Sequence, residues 1–218
     1  MEFFDFDIEI EADKLLILLI TTDLLFMAFH IFHVFHTSIG LFYDVNFSLQ
    51  QEQGFAEVFQ YLKEYWATLL LAILAVRTKN LLYVSWMLLF GYFLVDDAFG
   101  VHEVLGEQLG QTLGNLQLFG LQASDLGELF VSGFFGILFF IAIGVTYRVN
   151  DEEAKHFSRY FFTMLIILLL FGVATSIVKR LSPDATWQFI LGTVEESGEM
   201  LVMSVIIWFL IGFNPESI

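Results

Sequence analysis

Thr193-Val194-Glu195-Glu196-Ser197-Gly198-Glu199-Met200 sets three carboxylates inside the apolar run 185–213. At about 1.5 Å of rise per residue, a helix over that run carries them to about the middle of a bilayer's ~30 Å hydrocarbon core. Ionisable groups at that depth are costly and by default functional, so the reading turns on what compensates their charge. The surrounding sequence fits a membrane. Of 218 residues, 57% are hydrophobic and 17% aromatic, with a mean hydropathy of +0.74. A soluble domain is about 45–50% apolar. The expectation is an all-α, polytopic transmembrane helical bundle, with residues 1–218 forming one integral membrane domain.

Composition excludes several functions. There is no cysteine, which removes disulfides, thiolate metal sites and thiol catalysis. A net charge of −16 argues against nucleic acid, which calls for a basic patch. The N-terminal Met1-Glu2-Phe3-Phe4-Asp5 is acidic where a signal peptide would be basic, so cleavage is not expected.

Six apolar segments are long enough to span: 14–37, 55–76, 81–105, 125–147, 160–178 and 185–213. The glycine-punctuated stretch 110–124 reads as an interfacial loop, and Ser124 as the N-cap of the fourth span, with Asp125 and Glu128 in its first turn. Six spans put both termini on one side. That side holds Lys14, Arg77, Lys79, Arg148, Lys155 and Arg159; the other holds Lys179 and Arg180, with Lys63 just inside its interface. The positive-inside rule then places the termini in the cytoplasm.

This topology gathers the polar residues in the outer leaflet. Span 1 contributes His30, His33 and His36, with Asp23 near the midplane. Span 2 contributes Glu57, Tyr61, Lys63 and Glu64, span 3 contributes Asp96, Asp97, His102 and Glu103, and span 6 contributes Glu195, Glu196 and Glu199. At about 100° per residue, Asp23 shares a face with His30, Asp96 with Glu103 and Glu107, Glu195 with Glu199, and Glu57 with Tyr61 and Glu64. Spans 4 and 5 add almost nothing. Gly100, Gly106, Ser197 and Gly198 suit close helix approach.

Seven of these acids (Asp23, Glu64, Asp96, Asp97, Glu195, Glu196, Glu199) face one nearby cation, Lys63. Left uncompensated they would cost on the order of 15–20 kcal/mol, more than the ~5–15 kcal/mol stability of a typical domain. Protonation, a water-filled cavity or bound cations must offset them. With histidines at the same depth, one or two divalent ions (Fe, Mn or Zn) are the most economical answer. The expected ligands are His30 and His33, Asp96 with Glu103 or His102, and Glu195 with Glu199. Asp23, Lys63, Glu64, Asp97 and Glu196 are further buried polar residues.

Plainer readings compete. The histidines can serve as hydrogen-bonded aromatic-like residues, Asp96 to Glu103 as caps of a helix ending in water, Glu195 and Glu199 as protonated carboxyls, and Glu64 as a local partner of Lys63. No His-Glu-x-x-His occurs, since Gly106 stands where the second histidine would be.

The segments 54–66, Asp96-Asp97-x4-His102-Glu103 and Glu195-Glu196-Ser197-Gly198-Glu199-Met200 resemble those of an uncharacterised family of polytopic bacterial membrane proteins, found especially in cyanobacteria. The resemblance covers spans 2, 3 and 6. It implies a bacterial inner or thylakoid-type membrane and supports the polar positions as a set, without implying a reaction.

Three functions are open. The first is a metal-binding membrane protein; if it is an enzyme, a metal-bound water or oxygen species would act on a lipid-like, hydrophobic substrate entering from the bilayer. The second is a proton or cation channel or transporter, with Asp23, Asp96, Glu195 and Glu199 as a relay. The third is a non-catalytic subunit of a membrane complex. A homo-oligomer is compatible with each.

Overall fold

The computed structural model describes residues 8–35, 42–114 and 121–213. Eight helices hold most of them: α1 (Ile8–Val34), α2 (Phe55–Thr78), α3 (Leu81–Phe99), α4 (Val101–Leu113), α5 (Ala123–Val149), α6 (Glu152–Leu169), α7 (Thr175–Leu181) and α8 (Ala185–Gly212). No strand occurs among the described residues. Helix starts follow local chemistry, with side-chain carbonyls or carboxylates taking otherwise orphaned N–H groups. Asn80 accepts from Leu82 N at 2.8 Å, Asp151 from Ala154 N at 2.8 Å, and Asp184 from Thr186 N at 2.7 Å. In α5 the N-cap is Gln122, whose backbone N donates to Asp125 at 2.9 Å. The expected cap, Ser124, already lies inside the helix.

Among the described residues, the expectation of six spans reduces to four helical stretches long and apolar enough to cross a membrane: Glu11–Val34, Leu81–Phe99, Ala123–Val149 and Glu152–Leu181. The last is α6 and α7 joined through a π-helical turn, Leu170–Ala174. The missing two are α2 and α8. Both are long, but α2 carries Glu57, Lys63, Glu64 and Arg77, and α8 carries Glu195, Glu196 and Glu199. The charges that mark the site are what disqualify these helices by composition.

The third segment also departs from expectation. It ends at Phe99, because Gly100 takes φ +58°, the left-handed conformation that terminates helices and that glycine adopts without a β-carbon clash. After the break, α4 lies antiparallel on the start of α5. Gly106 and Gly127 meet there, and a β-carbon on Gly127 would overlap the Gly106 backbone. Gly110 likewise abuts Ser124. The stretch 110–114, expected in a loop, is thus the end of α4, with residues 115–120 outside the described set. The break also ends the helical phase that would align Asp96 with Glu103 and Glu107.

α8 packs against α1, α2, α6 and α7. Its second half joins α2, α3 and α6 in an apolar core of Leu71, Tyr83, Trp86, Phe90, Phe157, Phe161, Met203 and Ile206. Trp86 meets Phe161 edge to face at 4.9 Å and donates to Ser158 at 3.0 Å, so its indole N–H is satisfied within the core. The other half of the same bundle is polar. α2 shows how one sequence serves both roles: Gln60, Lys63, Glu64, Ala67 and Leu71 are buried, while Val58, Leu62, Tyr65, Leu69, Ile73 and Val76 form an exposed apolar stripe. On α5, Phe130, Phe134, Ile137, Ile141 and Val145 are similarly exposed, a surface that suits lipid.

Candidate functional site

The deepest charges are compensated by the chain itself. Lys63 donates to Asp23 at 3.0 Å and to the Met200 carbonyl at 2.7 Å, and lies 5.0 Å from the Phe59 ring centroid. Ser204 donates to the other Asp23 oxygen at 2.6 Å. Asp23, Lys63 and Ser204 are all 0% exposed. The network ties α1, α2 and α8 together. Lys63 thus has its short contact with Asp23, forty positions away, and not with the adjacent Glu64.

Two further cations arrive from α7. Lys179 donates to Glu195 at 2.5 Å, and Arg180 donates to Asp125 and Glu128 of α5 at 2.6 Å each. Both cations lie just past the fifth apolar segment, 160–178, at the end of α7. Register explains the Lys179 contact: Phe171 and Gly172 of the π-turn face Gly198 and Glu199. A lysine about two turns further along then reaches back to Glu195.

The histidines of span 1 are engaged by the protein. His30 Nδ1 accepts from Leu49 N at 3.1 Å, so Nε2 carries the proton and donates to Thr193 at 3.2 Å. Its ring stacks on Phe189 with centroids 5.4 Å apart. His33 Nδ1 donates to the Phe42 carbonyl at 2.9 Å. His36 lies outside the described residues.

What remains is a cavity of about 420 Å³ between α2, α3, α4, α8 and the segment before α2. Among the described residues, seven carboxylates line it (Glu52, Glu57, Asp96, Asp97, Glu103, Glu196 and Glu199) together with His102, and no Lys or Arg does. Glu57 accepts from the backbone N of Gln53, and Asp96 is tied to the start of α4. It accepts from His102 N at 2.8 Å and from His102 Nδ1 at 2.9 Å, capping α4 across the Gly100 break. The hydrogen bond to Asp96 raises the His102 pKa above its ordinary value, against the opposing effect of burial.

Behind Asp97, Glu64 is buried with its Oε2 lacking a donor, and its carboxyl lies within hydrogen-bonding reach of the Asp97 carboxyl. Two such groups need a proton or a cation between them. Glu199 Oε1 occupies the space beside Gly172 where any side chain would put its β-carbon. Gln60, 8% exposed, also lines the cavity, and its Oε1 has no partner.

The structure therefore brings Asp96, Asp97, His102, Glu103, Glu196 and Glu199 to one cavity, sets Asp23, Lys63 and Glu64 below it, and gives His30, His33 and Glu195 other partners. Among the described residues no group of three or more His, Asp or Glu side chains is arranged to hold a metal ion. The expected ligand set of His30, His33, Asp96, His102, Glu103, Glu195 and Glu199 is thus divided between separate places, because His30 bonds to Leu49 N and Thr193, His33 to the Phe42 carbonyl and Glu195 to Lys179. Sequence reasoning missed Glu52, Gln60 and the two α7 cations as parts of the system. Gln60 was findable, since it stands one turn before Glu64 on the same face.

Fold and cavity together define a class: an all-helical protein with several helices able to cross a membrane and an acid-lined cavity between them. The chain belongs to the family described as a domain of unknown function, DUF8692, whose model matches residues 17–213. No curated protein and no solved structure matches it.

Proposed function

We propose that this is an integral membrane protein whose acid-lined cavity binds a cation inside the bundle. One observation carries the reading. The seven carboxylates lining the cavity have no Lys or Arg among them, whereas Asp23, Glu195, Asp125 and Glu128 outside it each meet one. Carboxylates crowded at low dielectric repel, and a cation among them supplies what the chain does not. Fe, Mn or Zn belongs to this class of ligand. His30, His33 and Glu195 would not serve as its donors, because their polar atoms have other partners, and no three of the described carboxylates and histidines converge as a ligand set.

In this reading α2 and α8 cross the membrane beside the four apolar stretches, giving six spans. α2 turns an apolar stripe outward, and α8 is surrounded by α1, α2, α6 and α7, so its acids are shielded from lipid. The excess of Lys and Arg near the termini then puts the cavity on the non-cytoplasmic side. Equilibrium dialysis of detergent-purified protein against alkali, divalent and ammonium cations tests the proposal, with elemental analysis alongside. Saturable binding of at least one cation, weakened about tenfold or more in Glu196→Gln/Glu199→Gln, is expected. Failure of every cation to bind overturns it.

The Glu64–Asp97 pair favours a second reading, proton or cation transport, because a carboxyl pair can pass a proton between the cavity and the Asp23 network. Against it, the half of the bundle beyond Asp23 is filled by Trp86, Phe90 and Phe161. Proton flux in liposomes, lost in Asp97→Asn, would support transport; no flux in the wild type would exclude it.

A further inference from the structure

A second cleft, separate from the acid cavity, opens between the ends of three helices. It holds about 580 Å³, and Lys179 and Arg180 of α7, Asp125 of α5, and Gln188 and Phe189 of α8 line it. The chain has 9 Lys and Arg against 25 Asp and Glu, so two adjacent cations in one cleft set it apart from the acid cavity. Its level in the bundle follows from the chain path. The apolar stretches Ala123–Val149 and Glu152–Leu181 are joined only by Asn150 and Asp151, which puts residues 123 and 181 at the same end. α8 starts there too, at Ala185. In the membrane reading above, that end is the boundary between hydrocarbon and water, where tryptophan concentrates. Trp187, Ile190 and Leu181 stand exposed around it.

The two cations are paired without being used up. Of the five N–H groups of a guanidinium, Arg180 directs one to Asp125 and one to Glu128; of the three of an ammonium, Lys179 directs one to Glu195. The others have no acceptor among the described residues. A guanidinium fork beside an ammonium suits a phosphate. Charge narrows the ligand further. Asp125, Glu128 and Glu195 outnumber Lys179 and Arg180, so the cleft offers aimed donors without net positive charge. That disfavours a headgroup of net negative charge and suits one that brings its own ammonium, for which the Asp125 carboxylate has lone pairs to spare.

We propose that this cleft binds a zwitterionic glycerophospholipid of the phosphatidylethanolamine type. Its phosphodiester accepts from Arg180 and Lys179, its ammonium meets Asp125, and its glycerol end leaves past Phe189 towards the bilayer. A free phosphate offers the same acceptors without the ammonium or the apolar chains. The proposal rests on the membrane reading but not on cation binding in the acid cavity.

Native mass spectrometry of the full chain in detergent tests it, with dioleoylphosphatidylethanolamine, dioleoylphosphatidylglycerol and inorganic phosphate titrated at about 150 mM volatile salt, where diffuse attraction is screened. Phosphatidylethanolamine is expected to fill one site saturably and to bind more tightly than phosphatidylglycerol. Arg180→Lys keeps a cation for Asp125 and Glu128, and with it the fold, but loses the fork. It should weaken the lipid about tenfold, as should Lys179→Gln. Arg159→Gln removes an exposed cation at the other end of the α6–α7 stretch and should change nothing. Tighter binding of phosphatidylglycerol overturns the proposal. So does uptake of lipid without saturation, or equal uptake by wild type, Arg180→Lys and Lys179→Gln, either of which marks lipid that merely surrounds the protein. Phosphate that binds alone and excludes the lipid assigns the cleft to a soluble anion and overturns it as well. A chain that stays monodisperse without detergent overturns the membrane reading itself, and the lipid site with it.

Discussion

Lys63 shows how one residue can decide whether a buried acid is structural or functional. Its ammonium is shared among Asp23, the Met200 carbonyl and the Phe59 ring, all out of contact with solvent. Removing one partner of a buried pair leaves the other charge uncompensated, which costs about 3–5 kcal/mol, whereas an apolar replacement of both is close to neutral. Lys63→Met is therefore expected to lose about that much stability in detergent denaturation, and Lys63→Met/Asp23→Leu to recover most of it. His102 makes a pH-dependent contribution. Asp96 holds its pKa above the ordinary 6.5, with Asp97 and Glu103 also favouring the charged ring. Because the folded-state value is raised, the stability this gives is complete below about 6.5 and is lost as pH rises through the raised value. Thermal unfolding from pH 5 to 9 should show that loss in the wild type and not in His102→Asn. From the sequence, Asp23 stood out as a costly acid, but its partner did not. Forty positions separate Asp23 from Lys63, and helical phase within one helix says nothing about which neighbour it faces.

Among the elements, α4 and the π-turn depend on glycines for their placement. Gly106 and Gly127 let α4 and α5 touch backbone to backbone, so Gly127→Ala must push the helices apart. A loss of about 1–3 kcal/mol is expected, the usual cost of overpacking, read from denaturation in detergent. Gly172 in the π-turn makes room for the Glu199 carboxylate. Gly172→Ala is expected to displace that carboxylate and weaken cation binding in the cavity without unfolding the bundle, checked by dialysis beside a melting curve. π-turns recur at functional sites, and this one faces an acid of the cavity. The existence and rough positions of the long helices were legible, because apolar runs bounded by charge are strong local signals. The break at Gly100 was not, since His102 and Glu103 continue a helical pattern and only the backbone angle reveals the end. The joining of α7 to the site was equally hidden, because it depends on the register of two packed helices.

For the molecule as a whole, the division between an apolar half and an acidic half organises everything else. α2 carries Glu57, Lys63 and Glu64 in its first half and buried Leu71, Leu74 and Ala75 in its second, α3 runs from Tyr83, Trp86 and Phe90 to Asp96 and Asp97, and α8 runs from its mid-helix acids to buried Met203, Ile206, Ile207 and Leu210. That convergence was readable from the sequence to the extent that Asp96, Asp97, His102, Glu103, Glu196 and Glu199 line one cavity. The specific ligand set was not readable, because His30 and Glu195 lie at the right depth and still turn to Thr193 and Lys179. Charge totals over the whole chain likewise concealed that Lys179 and Arg180 pair locally with Glu195, Asp125 and Glu128.

The central claim is that the cavity's carboxylates are held for a cation. Thermal unfolding of detergent-purified protein across a cation titration, wild type beside Glu196→Gln/Glu199→Gln, tests it most directly. A ligand at about a hundred times its dissociation constant stabilises by about 2.7 kcal/mol, enough to move a midpoint by several degrees. The account predicts a saturable rise in the wild type. The double variant should start from a higher midpoint without cation, since two repelling charges are gone, and should respond little. A wild type indifferent to every cation, or a double variant that starts lower and responds equally, would contradict it.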